Sequence, residues 1–140
     1  MESKKYIGIL LLVLMLLSTF AFTFIQGGFH QTVEVPTGNI VKQLSPEQEA
    51  KLIAEGKTIV IFTRSEGCEQ CQEIGIFLED VATAYRDQLV LVEKEADTSS
   101  ILIKSAYGQR MVGITSKEKL TGIICDLMIK PPPTCVSGEL

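Results

Sequence analysis

Thr58-Ile59-Val60-Ile61-Phe62-Thr63 leads through Arg64-Ser65-Glu66-Gly67 into Cys68-Glu69-Gln70-Cys71, and this order of residues decides the fold. The first six are all β-branched or aromatic, which reads as a buried strand. Gly67 supplies a tight turn. From Cys68 onward the apolar period lengthens: Ile74, Phe77, Leu78, Val81, Ala82 and Tyr85 fall at i, i+3, i+4, i+7, i+8 and i+11. That is one face of a helix, with Glu73, Glu79, Asp80 and Arg86 on the other. Two cysteines three apart in the first turn of such a helix bring their sulfurs within bonding distance. The outer one lies at the helix N-terminus, where free N–H groups and the helix dipole favour thiolate over thiol.

The flanking sequence alternates in the same manner. Ser45-Pro46-Glu47-Gln48 carries a capping serine, a proline at the first helical position and a glutamine closing a capping box. This predicts a helix to about Glu55, with Gly56 at its C-terminal cap. Gln88 to Glu95 reads as the next strand, and Ile101 to Tyr107 as a short helix. Thr115-Ser116-Lys117-Glu118 is a second capping box, followed by Leu120, Ile123, Ile124, Leu127 and Met128 on one face; Pro131-Pro132-Pro133 must end that helix. Thr134 to Gly138 reads as a short strand and turn. The expected class is α/β, with a parallel strand pair at its centre.

Ahead of this domain, Lys4 and Lys5 precede Tyr6 to Ile25, which is free of charge. At about 1.5 Å per residue such a helix is roughly 30 Å long, the thickness of the hydrocarbon layer. The bulky Phe22, Phe24 and Ile25 at its end are poor substrates for a signal peptidase. The expectation is therefore an uncleaved, single-pass signal anchor in the cell membrane. Its boundaries are a cytoplasmic N-terminus at 1–5, a transmembrane segment at 6–25, a tether at 26–43 and an extracytoplasmic domain at 44–140. Within the tether, a short strand is expected at Thr32 to Val35 or near Ile40. Of 13 basic and 17 acidic residues, 11 and 16 remain once Lys4, Lys5 and Glu2 are set aside. That acidic balance excludes nucleic acid as an expected partner.

Four cysteines, 68, 71, 125 and 135, all follow the apolar segment. In an extracytoplasmic compartment an even set means redox chemistry or structural disulfides. Cys68 is the expected catalytic nucleophile and Cys71 the resolving thiol, acting on extracytoplasmic protein thiols and disulfides with no cofactor, and exchanging electrons with a membrane redox partner. Glu66 and Glu69 oppose a thiolate at Cys68, which argues for a moderate couple rather than an aggressive oxidant. Cys125 and Cys135 are expected to form a structural disulfide; a relay through Cys135 and two unpaired core cysteines are the other readings. A tetrahedral zinc site built from all four thiolates is the alternative chemistry, although nine residues between Cys125 and Cys135 is not a zinc-knuckle spacing. The alternative function is a binding module without turnover. No metal site is expected.

These residues resemble the thioredoxin-like superfamily from about Ser45 onward. The resemblance rests on the strand before Cys68-x-x-Cys71 with its long helix, and on Pro133-Thr134, which looks like the family's cis-proline and following threonine leading into a strand. It implies a membrane-anchored thiol–disulfide oxidoreductase in which Pro133 and Thr134 lie against the Cys68–Cys71 disulfide and bind substrate backbone. A helix between the second strand and the proline is more like the periplasmic disulfide oxidase branch. The chain also departs from the family pattern. Phe62 stands where a buried acid usually precedes the first cysteine by six residues. Gly67 replaces a tryptophan, and Glu69-Gln70 matches no well-known dipeptide. With the elements assigned as above, the fold is expected to be C-terminally shortened, lacking a last strand and helix.

Overall fold

The computed structural model describes residues 2–27 and 33–138, which fall into two units, one ending at Thr32 and the other beginning at Val33. The first unit is a single helix, α1, Glu2–Gly27. Among the described residues no helix is long and apolar enough to cross a membrane; within α1 the side chains described are those of positions 6 to 21.

The second unit is a five-stranded sheet between helices. Its elements are β1 (Ile40–Val41), α2 (Pro46–Ala54), β2 (Thr58–Arg64), α3 (Glu69–Ala84), β3 (Leu89–Glu95), β4 (Ser100–Ser105), β5 (Gly108–Val112), α4 (Lys117–Leu127) and α5 (Thr134–Ser137). The strand order is β1-β3-β2-β4-β5. β2 is central, parallel to β3 with Val60 opposite Leu91 and antiparallel to β4 with Val60 opposite Ile103. The folded unit thus starts well before Ser45. β1 pairs with β3, and the Gln48 and Lys51 side chains donate to the carbonyls of Glu34 and Val33, so the segment expected to be a tether is in part sheet and packing.

Alternation along the strands divides the core. Val60 and Phe62 of β2, Leu89 and Leu91 of β3, and Ile101 and Ile103 of β4 pack against α3 and α4. Ile59, Ile61, Val90 and Val92 point the other way, onto Leu52 of α2. Each face of the sheet is thereby covered, as buried parallel strands require. The capping box at Ser45 forms as expected, with Ser45 Oγ accepting from the Gln48 N–H and Gln48 Oε1 from the Ser45 N–H.

Four expectations are overturned. Residues 101–107 are strand and turn, not helix: Ser100–Ser105 alternates half-buried and buried, and its apolar side chains meet β2 across the sheet. Because this segment is β4, the sheet has its antiparallel β4–β5 hairpin and a following helix, α4, so the fold is not shortened and α4 is not an insertion. Thr134–Ser137 is a helix rather than a strand, with Pro133 at φ −56 and ψ −28 as its N-cap. Among the described residues no peptide bond is cis. The proline run closes α4 and opens α5 through trans bonds, proline being well suited to a helix start.

Candidate functional site

Cys68 sits at the N-cap of α3, at the top of the central strand. Gly67 places it there: its φ of +80° lies in the left-handed region, the conformation that turns the chain from strand to helix and that glycine adopts at little cost. No side-chain hydrogen bond caps α3 at Cys68, so the cysteine pair occupies the first turn of a helix whose N-terminus is left to the backbone. Cys68 and Cys71 are joined as a disulfide, with Cα atoms 5.3 Å apart. The two sulfurs differ in access. Cys68 is half-buried on a groove with Ser65, Glu66, Gly67 and Glu69, whereas Cys71 is wholly buried against the core beneath α3.

Charge around the pair is acidic at close range. Glu66 and Glu69 are exposed beside Cys68. Arg64, the cation nearest in sequence, pairs with Glu95 at 3.6 Å, and Glu73 is taken up by Lys117 at 2.8 Å. Phe62, fully buried, lies in the same core as Cys71, so the residue six before Cys68 offers packing and no proton.

Pro133 and Thr134 are not part of this site. Thr134 Oγ1 is 3.0 Å from the Tyr85 hydroxyl, and Tyr85 is the C-cap of α3. Cys68 caps the opposite end, roughly 25 Å away along the helix axis. The assignment of substrate binding to these two residues is therefore corrected: they tie α5 to the far end of α3. Cys125 and Cys135 form the second disulfide, joining α4 to α5. Together the two disulfides occupy all four sulfurs, and among the described residues no cluster suited to a metal ion occurs. The four-thiolate zinc reading has no free thiolates to rest on in this state.

What meets the disulfide instead is Ser99, which sequence reasoning passed over. β3 and β4 flank β2 on opposite sides, so the four residues connecting them must cross the end of β2. That crossing sets Ser99 Oγ 3.3 Å from Cys71 Sγ and 2.6 Å from Ser65 Oγ, with the Ser65 N–H donating to it at 3.0 Å. Ser99 leads into β4, the strand that adjoins β2. Had Ser100–Ser105 been read as a strand beside β2, the residue preceding it would have been the signal.

No protein-family model matches the sequence, and no curated protein is found similar to it. Solved structures are similar in fold. A redox protein from Chlamydomonas reinhardtii aligns over 72% of this chain and 39% of its own, with 19% identity and a TM-score of 0.56. Fasciola hepatica thioredoxin aligns over 58% of this chain and 92% of its own, with 16% identity and a TM-score of 0.48. The present chain thus spans well under half of the Chlamydomonas protein. With the strand order and the disulfide at the head of α3, the fold is thioredoxin-like.

Proposed function

We propose that the protein is a membrane-anchored thiol–disulfide oxidoreductase that acts on extracytoplasmic protein disulfides through Cys68 and Cys71. The observation that carries the reading is the asymmetry of the pair: an accessible sulfur at an uncapped helix N-terminus, bonded to a buried one. In the reducing direction the Cys68 thiolate attacks a substrate disulfide. One substrate sulfur leaves as a thiolate and takes a proton from water. Cys71, having given up its proton, then attacks Cys68 Sγ and expels the second substrate thiolate. Two electrons pass to the substrate, and the pair is left as the disulfide. Oxidation of a substrate dithiol is the reverse.

Anchoring is supported by the 20 uncharged residues from Tyr6 to Ile25 behind Lys4 and Lys5, and by the continuity of α1 through that stretch. The positive-inside rule then puts the N-terminus in the cytoplasm and the thioredoxin-like unit outside.

Titration of the pair against a dithiothreitol redox buffer tests the activity. A single two-electron transition, lost in Cys68→Ser together with all substrate turnover, is the expected result. In the reduced protein, alkylation near neutral pH modifies Cys68 before Cys71. A second reading, a binding module with structural cysteines, is favoured by one observation: among the described residues no cis-proline faces the disulfide. It requires that Cys68→Ser change stability alone, with no turnover in the parent protein to lose.

A further inference from the structure

Cys71 is the sulfur that must ionise to resolve a mixed disulfide, and it is the one placed worst for doing so. It is fully buried among apolar side chains, and burial disfavours a thiolate. It lies three residues beyond the cap, with its own N–H directed to the Cys68 carbonyl at 3.3 Å. Phe62 beside it is apolar. The polar atom the structure brings to its sulfur is Ser99 Oγ, at 3.3 Å.

The hydrogen bonds around Ser99 allow its hydroxyl to donate in that contact. A hydroxyl has one proton to give and two lone pairs to fill. Ser99 Oγ accepts from the Ser65 N–H at 3.0 Å, and Ser65 Oγ, 2.6 Å away, is placed to donate to it as well. When Ser65 Oγ is the donor of that pair, both lone pairs of Ser99 are engaged and its proton is free for Cys71. The disulfide sulfur carries no hydrogen, so in this state the serine is the donor. Ser65 follows β2 directly and Ser99 directly precedes β4, so both are held by the sheet rather than by a free loop.

We propose that Ser99 is a catalytic residue of the Cys68–Cys71 couple: its hydroxyl, held in place by Ser65, donates a hydrogen bond to Cys71 Sγ and stabilises the thiolate that attacks the mixed disulfide. This rests on the oxidoreductase reading and assigns it a residue. The bond changes are those of the resolving step. Cys71 loses its proton to water, the Cys71–Cys68 bond forms, the bond from Cys68 to substrate sulfur breaks, and the substrate leaves as thiolate. Ser99 keeps its own proton throughout. A hydrogen bond to a charged group is stronger than one to a neutral thiol, so the contact favours the ionised form.

The test uses the reduced full-length protein and a chromogenic aryl disulfide, dithiobis-nitrobenzoate, which releases one coloured thiolate when Cys68 attacks it and a second when Cys71 resolves the adduct. In Ser99→Ala the first release keeps the parent rate. The second slows about tenfold at neutral pH, and its pH profile moves to higher pH by about one unit. Ser99→Thr keeps the hydroxyl and restores both the rate and the profile. Alkylation of Cys71 against pH in Cys68→Ser, with and without Ser99→Ala, gives an independent reading that needs no turnover. The same alkaline displacement is expected there. A second release with unchanged rate and profile in Ser99→Ala overturns the role of Ser99 and leaves the oxidoreductase reading standing. No first release from the parent protein overturns that reading itself. If Ser99→Ala does not fold, Ser99→Gly and the Ser99→Thr profile decide, and a threonine variant as slow as the glycine one counts against the proposal.

Discussion

Single residues at the head of β2 carry the proposed chemistry, and two residues near it make testable demands. Gly67 has φ +80°, and a Cβ there would meet nothing within 4 Å. Gly67→Ala therefore isolates the backbone cost of the left-handed conformation, about 1 kcal/mol. A fall of that size in urea-unfolding free energy is expected; an unchanged midpoint would show that the turn relaxes without glycine. Glu93 is the second. It continues the β3 face of Leu89 and Leu91 toward α3, where burial raises its pKa and Glu79 raises it further, with Arg64 and Lys42 partly offsetting both. A carboxyl whose folded pKa is raised binds its proton more tightly in the native state. Its contribution is thus present below the unfolded value and is lost as pH rises through the folded one. Glu93→Gln should stabilise the protein at pH 7, with the advantage vanishing toward about pH 4, near the ordinary glutamate value. Paired denaturant melts at the two pH values measure this, and a variant less stable at pH 7 would contradict it.

At the scale of elements, the strand before Cys68, the helix after it and the capping box at Ser45 were legible because each rests on local rules: β-branched runs, 3.6-residue spacing, a serine with glutamine three residues on. The second expected box did not form: Ser116 rather than Thr115 caps α4, accepting from the Lys119 N–H, and a lysine at that position cannot accept in return. Two elements were not legible. Ile101-Leu102-Ile103 is too short for its period to separate helix from strand, and its choice is made by β2, some forty residues earlier in the chain. Pro133-Thr134 copied a family signature in sequence while the topology carried it to the wrong end of α3. Ser99 was hidden for the same reason, since its partner Cys71 is reached only through the β3–β4 crossing. What holds α5 is the Cys125–Cys135 disulfide, separated by 10 residues in sequence, along with the Tyr85–Thr134 contact. Loop entropy assigns such a bridge about 2–3 kcal/mol. Replacing both cysteines by serine should lower stability by that order and leave the dithiobis-nitrobenzoate kinetics of Cys68 and Cys71 unchanged. Slower kinetics in a folded double variant would mean that the second disulfide communicates with the first.

On the scale of the whole molecule, the chain divides where its composition changes. The unit from Val33 onward has both faces of its sheet covered and contains both disulfides, Ser99 and the full polar cluster around Cys71. Among the described residues its two core clusters are built from its own side chains, which is what a domain needs to fold alone. The apolar stretch at Tyr6 to Ile25 has the opposite character: uncharged, with its described side chains exposed. A helix of that composition is costly to leave in water, at about 25 cal/mol for each Å² of apolar surface. The two halves should therefore separate in behaviour. A chain beginning at Val33 is expected to be water-soluble, to unfold cooperatively at a midpoint close to that of the full-length protein in detergent, and to keep the rates of both thiolate releases. The full-length chain is expected to sediment with membranes and to resist extraction by alkaline carbonate. Membrane-impermeant thiol labelling of intact cells, with a cysteine placed just after Gly28, then reports the side. Labelling without lysis places the thioredoxin-like unit outside the cell membrane, and labelling only after lysis reverses the proposed topology.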